Sequence, residues 1–283
     1  MVSKDSCILI TSSNQEKTKE VALAAYDCLK KREYNVYLDF FLAEKRDDLD
    51  PICSEITVEL VLVYGGDGTI LKTFKTWKNI PILGVNCGRV GFLCEIEPEE
   101  LDEAFDKIER NEFFTEFYSA LAVSTETSPT ISAANDVIVT SDKVGQLITL
   151  KVQINDRYLY TLNGDGLIVS TCVGSSAYSL SAGGSLVMPN IDAFSLVPIC
   201  PFSRRIIPLV ISSNVRITIT NLSVYRAGHV VIDGATYYSL GNGESISVVR
   251  STDKIGFLRF SDNYVERVRD KLLKYNPDDF NEQ

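Results

Sequence analysis

Histidine is almost absent from this chain: His229 is the single one in 283 residues. One imidazole with no partner motif carries no histidine-based acid–base catalysis, and its setting in an alternating stretch points to a structural place in a strand. Paired cysteines are missing too. The seven cysteines are odd in number, scattered, and contain no C-x-x-C spacing, which argues against both a zinc site and a disulfide framework. They read as free thiols of a reducing compartment. Basic clusters are scarce, none exceeding Lys30-Lys31-Arg32, and the net charge is −10. A nucleic-acid partner is therefore not expected, since phosphate backbones demand clustered Lys and Arg. The N-terminus has no long apolar stretch of the signal-peptide kind, so a cytoplasmic protein is expected. No charge occurs between Gly166 and Ile191, yet this stretch is dense in Gly, Ser and Thr. It lacks the continuous apolar surface of a membrane span. Bracketed by Asp165 and Asp192, it reads instead as the lining of a ligand site, where hydroxyls and amides bind.

What is present starts with Gly65-Gly66-Asp67-Gly68-Thr69, which directly follows the apolar run 58–64. A strand, a glycine turn holding one carboxylate, and a helix together present backbone N–H groups and an acid to a phosphorylated ligand. Glycines let the main chain come close to oxygen atoms. The following helix, with Leu71, Phe74 and Trp77 at helical spacing, would aim its positive end at the same anion. A plain strand-to-helix turn is the competing reading of the pentapeptide alone. The second block, Gly164-Asp165-Gly166 running through Ser170-Thr171 into Gly174-Ser175-Ser176-Ala177-Tyr178 and on to Gly183-Gly184, shifts the balance toward a ligand site.

Over residues 1–112 strands at 7–11, 36–40, 56–64 and 82–86 alternate with helices at 15–32, 70–77 and 98–110, the pattern of parallel βαβ units. From residue 120 on, short strands follow one another, with Asn155-Asp156, Asp233-Gly234 and Asn242-Gly243 as hairpin turns. The expected fold is an α/β N-terminal Rossmann-like domain (1–115) plus a β-rich, mostly antiparallel domain (116–255). A C-terminal helical segment (256–283) is expected to pack back on the first.

With these residues in view, the chain resembles the NAD kinase family. Five blocks carry the resemblance in order: Gly65–Thr69, Asn86-Cys87-Gly88-Arg89-Val90-Gly91-Phe92-Leu93, Asn135-Asp136, the 164–171 block and the 174–184 block. The first is shared with lipid kinases, and the second and fifth make the assignment specific. The resemblance implies phosphoryl transfer from ATP, or polyphosphate, to the 2′-hydroxyl of the adenosine ribose of NAD. It implies Asp67 as the catalytic carboxylate. Gly68, Phe92, Asn135, Asp136, Asp165, Ser176, Ala177, Tyr178 and Ser181 would contact NAD. Gly65, Gly66, Thr69 and Lys72 would face phosphate. Mg²⁺ would be held through substrate phosphates without a protein cage. A homodimer or homotetramer is implied as well. Three departures from the family pattern stand out: Asp136 replaces Glu, Val173 replaces Thr, and Phe202 and Ile207 replace His and Arg. A non-catalytic NAD(H)-binding regulator and a lipid kinase of the same superfamily are the rival readings.

Overall fold

The computed structural model describes residues 4–44, 56–143 and 145–274. Two compact units divide the chain: one takes the residues up to Phe117 and those from Ile255 on, the other Tyr118–Lys254.

The first unit is a parallel sheet with helices. Its elements are β1 (Ile8–Ser12), α1 (Glu16–Lys31), β2 (Val36–Leu38), α2 (Phe40–Ala43), β3 (Leu60–Gly65), α3 (Asp67–Thr76), β4 (Pro81–Asn86) and α4 (Leu101–Glu109). The strands lie in the order β2-β1-β3-β4, all parallel. Every residue of β3 is buried, as expected of a strand covered on both faces. Helix α1 turns Ala22, Ala25, Tyr26 and Leu29 inward and carries Lys30 and Lys31 in its last turn, where cations suit the helix dipole. The strand expected over 36–40 stops at Leu38. Asp39 instead accepts the Leu42 N–H at 2.9 Å and caps α2. The charged stretch after Glu44, Cys53 and the end of the helix expected near residue 275 lie outside the described residues.

The second unit is antiparallel throughout its six-stranded sheet. Its strands are β5 (Phe114–Ser124), which begins in the first unit, β6 (Ile131–Ala133), β7 (Asp136–Ser141), β8 (Ile148–Ile154), β9 (Arg157–Gly164) and β10 (Gly166–Ser170). They continue as β11 (Ala193–Ile199), β12 (Leu209–Ser212), β13 (Ile217–Asn221), β14 (Gly228–Ile232), β15 (Ala235–Leu240) and β16 (Ser245–Arg259), which ends in the first unit. The six-stranded order is β12-β11-β10-β7-β14-β15. Strand β13 pairs with both β8 and β16, and β8 with β9. Leu121, Val139, Leu167, Phe194, Ile219 and Val248 belong to one buried core. Two of the three expected two-residue hairpins close, whereas Asn242-Gly243 falls between β15 and β16, which lie in different sheets, and so carries the chain from one sheet to the other. Asn155 and Asp156 (φ 49° and 63°) join β8 to β9, and Asp233 and Gly234 (φ 45° and 76°) join β14 to β15. Positive φ at both central positions is the type I′ geometry that matches strand twist.

Among the described residues of the second unit, helical structure is confined to a 3₁₀ turn at Gly174–Ser176 and α5 (Tyr178–Ser181). Beyond β16 the first unit resumes with α6 (Tyr264–Arg267) and a π-helical turn, Val268–Leu273. No helix among the described residues is long and apolar enough to cross a membrane.

Candidate active site

The sequence-expected site residues fall into two groups, one in each unit. In the first, β3 ends on Gly65, and a side chain there would meet the Thr69 hydroxyl at 2.3 Å. The chain then turns at Gly66 and α3 begins on Asp67. Among the described residues nothing would meet a carbon added at Gly66 or Gly68. Asp67 does not stand unsupported. One carboxylate oxygen accepts the Phe92 N–H at 3.1 Å and the other the Leu93 N–H at 2.8 Å.

Those two amides belong to the loop after β4, which Asn86 braces from below. Asn86 Oδ1 accepts the Gly88 N–H at 3.1 Å, and Nδ2 donates to Glu97 at 2.9 Å. Gly91 has φ 55° and passes close over the Asn86 amide. Phe92, expected to contact NAD, is 6% exposed and sits edge-on to Tyr264 with centroids 5.9 Å apart. What it visibly offers the turn is its N–H. Lys72, expected near phosphate, is exposed, with its ammonium 5.7 Å from the Phe41 ring centroid. Thr69 accepts the Thr73 hydroxyl at its carbonyl, 2.9 Å. Cys94 lies beside this site, but burial first, and then the Asp67 charge, push its thiol up to about 12. A thiol so protonated is no nucleophile.

In the second unit Asn135 and Asp136 lead into β7. Their backbone is ordered by Asp233, whose carboxylate accepts the N–H groups of Ala134 and Asn135 at 2.8 Å each and of Asp136 at 3.2 Å. The sequence shows Asp233 as a turn residue and gives no sign of these three bonds. Asn135 Oδ1 is buried with no hydrogen-bond partner among the described residues. Such an acceptor is costly unless something meets it. Asp136 is 5% exposed, and its carboxyl is pushed up to about 7, first by burial and then by Asp233.

The small-residue block packs directly on this corner. The Thr171 hydroxyl donates to the Ala134 carbonyl at 2.6 Å and accepts the Gly174 N–H at 3.0 Å. A side chain at Gly174 would lie 2.1 Å from the Asn135 carbonyl. Ser175 is fully committed inside, to the Cys172 carbonyl and the Val187 N–H. Ser176, by contrast, is half-buried and donates to Val173 at 3.1 Å; Ala177 is half-buried, Ser181 exposed, and Tyr178 46% exposed. Asp165 stands apart from this corner. In the β7–β10 ladder Ser170 faces Asp136 and Gly166 faces Thr140. At about 3.4 Å per residue, Asp165 is ~17 Å along the strand from Asp136. Its backbone is tied to Ile199, Thr140 and Ser141.

Two family models match the chain: the ATP-NAD kinase N-terminal domain over residues 4–113 and the ATP-NAD kinase C-terminal domain over 134–260. The chain belongs to the NAD kinase family. An NAD kinase of Methanothermobacter thermautotrophicus is 34% identical over 260 residues, covering 90% of this chain and 92% of its own. Among solved structures, a yeast NADH kinase complexed with NADH superposes with a TM-score of 0.85 at 25% identity, covering 97% of this chain and 89% of its own. An NAD kinase from Archaeoglobus fulgidus in complex with ATP gives 0.72 at 27% identity, covering 93% and 98%. Of the departures from the NAD kinase pattern, Val173 is buried, whereas Phe202 and Ile207 are exposed.

Proposed function

We propose that the protein transfers the γ-phosphate of ATP to the 2′-hydroxyl of the adenosine ribose of NAD, making NADP. The observation that carries this reading is the Asp67 carboxylate, oriented by two backbone amides on a turn whose neighbouring glycines are bare. A phosphoryl transfer asks little covalent chemistry of the protein and much positioning. Asp67 orients the 2′-hydroxyl and takes its proton as the new O–P bond forms and the bond to the β-phosphate bridging oxygen breaks. Gly66 and Gly68 let main-chain N–H groups reach the phosphates, at the end of α3 where anions are favoured.

On the second unit, the unmatched Asn135 Oδ1 and the Asp136 carboxyl suit ribose hydroxyls. Ser176, Ala177 and Tyr178 border the adenosine, with Tyr178 exposed enough to stack on a flat ring. Asp165, far along the ladder, suits the nicotinamide half. A divalent cation such as Mg²⁺ supplies charge neutralisation when bound, through phosphate oxygens and water. The relatives named for NAD kinase, and the neighbour bound to ATP, support the acceptor and the donor. The same reading takes the protein as a cytoplasmic homodimer or homotetramer, which sedimentation of the purified chain checks.

The test is NADP formation from NAD, ATP and Mg²⁺, read by an NADP-specific dehydrogenase, with Asp67→Asn alongside. The variant is expected to lose about 10²–10⁴-fold in kcat while calorimetry still shows NAD binding. Wild-type turnover in the variant would remove Asp67 from its role. NAD binding without any product, with ATP or with polyphosphate, would favour a regulator.

A further inference from the structure

The end of β16 and the segment that follows it meet the Gly91–Glu95 loop at several points, all within the first unit. Arg259 donates to the Leu93 carbonyl at 3.0 Å and pairs with Glu95 at 3.0 Å, both side chains nearly wholly buried. The other Glu95 oxygen accepts the Phe260 N–H at 2.9 Å, and Arg267 approaches the pair at 3.6 Å. Tyr264 packs on Phe92. Finally the Lys271 ammonium donates to the Gly91 carbonyl at 2.6 Å.

That last bond has a specific consequence. The Gly91 carbonyl and the Phe92 N–H are opposite ends of one planar peptide group. The N–H end is the group that donates to Asp67 at 3.1 Å. A cation on the carbonyl polarises the amide and strengthens its donation, and it fixes the plane in which that donation points. The order is therefore ammonium, peptide, carboxylate. Arg259 holds the neighbouring residue, Leu93, whose N–H is the second donor to Asp67.

We propose that Lys271 is a positioning residue for Asp67, acting through the Gly91–Phe92 peptide; this rests on reading Asp67 as the carboxylate that orients the acceptor hydroxyl. The test uses Lys271→Met and Lys271→Arg in the full-length protein, each also made in the Asp67→Asn background. Lys271→Met is expected to lower kcat about tenfold, with the KM for NAD unchanged. Lys271→Arg, which keeps the cation, is expected to restore most of the rate and so answers for a folding defect. In the Asp67→Asn background the Met substitution is expected to cost nothing further. An unchanged kcat, or the same fold loss in both backgrounds, overturns the proposal. A second readout does not depend on turnover: the Phe92 amide proton, followed by nitrogen-edited NMR, is expected to move upfield and exchange faster in Lys271→Met. An unmoved Phe92 amide overturns the link even if the wild type makes no NADP, a result that would strike the proposed reaction separately.

Discussion

At Asp136 burial and charge act in the same direction. The carboxyl is buried beside Asp233, and its folded-state value of about 7 lies well above the ~3.9 of an unfolded chain. Between those two values the folded protein binds more protons than the unfolded one. Stability contributed at this site therefore falls as pH rises through the window, and is lost in full above about 7. Asp136→Asn removes the dependence. The variant is expected to be more stable than wild type at pH 8, by up to ~4 kcal/mol at about 1.4 kcal/mol per unit, and the gain should vanish near pH 4. Denaturant unfolding at a series of pH values measures this; a difference that does not change with pH would sink it. The exchange of Glu for Asp was visible in the sequence. What was not visible is the reach of Asp233, which orders a backbone amide 97 residues earlier in the chain. An Asp-Gly pair reads locally as a turn, and that turn does form; nothing local encodes where its carboxylate points.

Among the elements, the loop after β4 is where local conformation and chemistry are coupled. Gly91 has φ 55°, and a side-chain carbon there would lie 2.4 Å from Asn86 Oδ1. Gly91→Ala is therefore strained in its backbone and displaces the brace beneath it. A cost of about 1–3 kcal/mol in stability is expected. Turnover should fall as well, because the Phe92 and Leu93 amides that hold Asp67 move with the loop. Urea unfolding and NADP formation check the two effects; a variant normal in both would show that the brace does not matter. The glycine turn and the two I′ hairpins were legible because they depend on residues at fixed short offsets. Strand β11 was not: all but its last residue are buried, it contains Pro198, and it shows no alternation. Strands β6 and β12 are too short to carry a period, at three and four residues. The true length of β16, fifteen residues, was also hidden. Its second half, Ser251–Arg259, mixes charged and apolar residues without a clean two-residue repeat, and its burial there follows from partners far away in sequence.

For the molecule as a whole, the two units differ in how the chain supplies them. The second is contiguous, with a core whose members all lie between Leu121 and Val248. The first is not. Gly256 and Phe257 pair with Pro81 and Ile82 of β4, Leu258 belongs to the buried cluster of that unit, and Arg259 neutralises the buried Glu95. In the sequence Glu95 and Arg259 look like ordinary surface charges, which is why their pairing could not be read there. Removing one partner of a buried ion pair costs about 3–5 kcal/mol, and loss of the returning strand leaves β4 as an open edge. A fragment of residues 1–117 is therefore expected to lack a cooperative thermal transition and to bind a hydrophobic dye. A fragment of residues 118–254 is expected to melt cooperatively with an antiparallel-sheet circular dichroism spectrum. Cooperative folding of the first fragment alone would show that the C-terminal return adds contacts without being needed for the parallel sheet. Failure of the second would mean that its core, though continuous in sequence, depends on the rest of the chain.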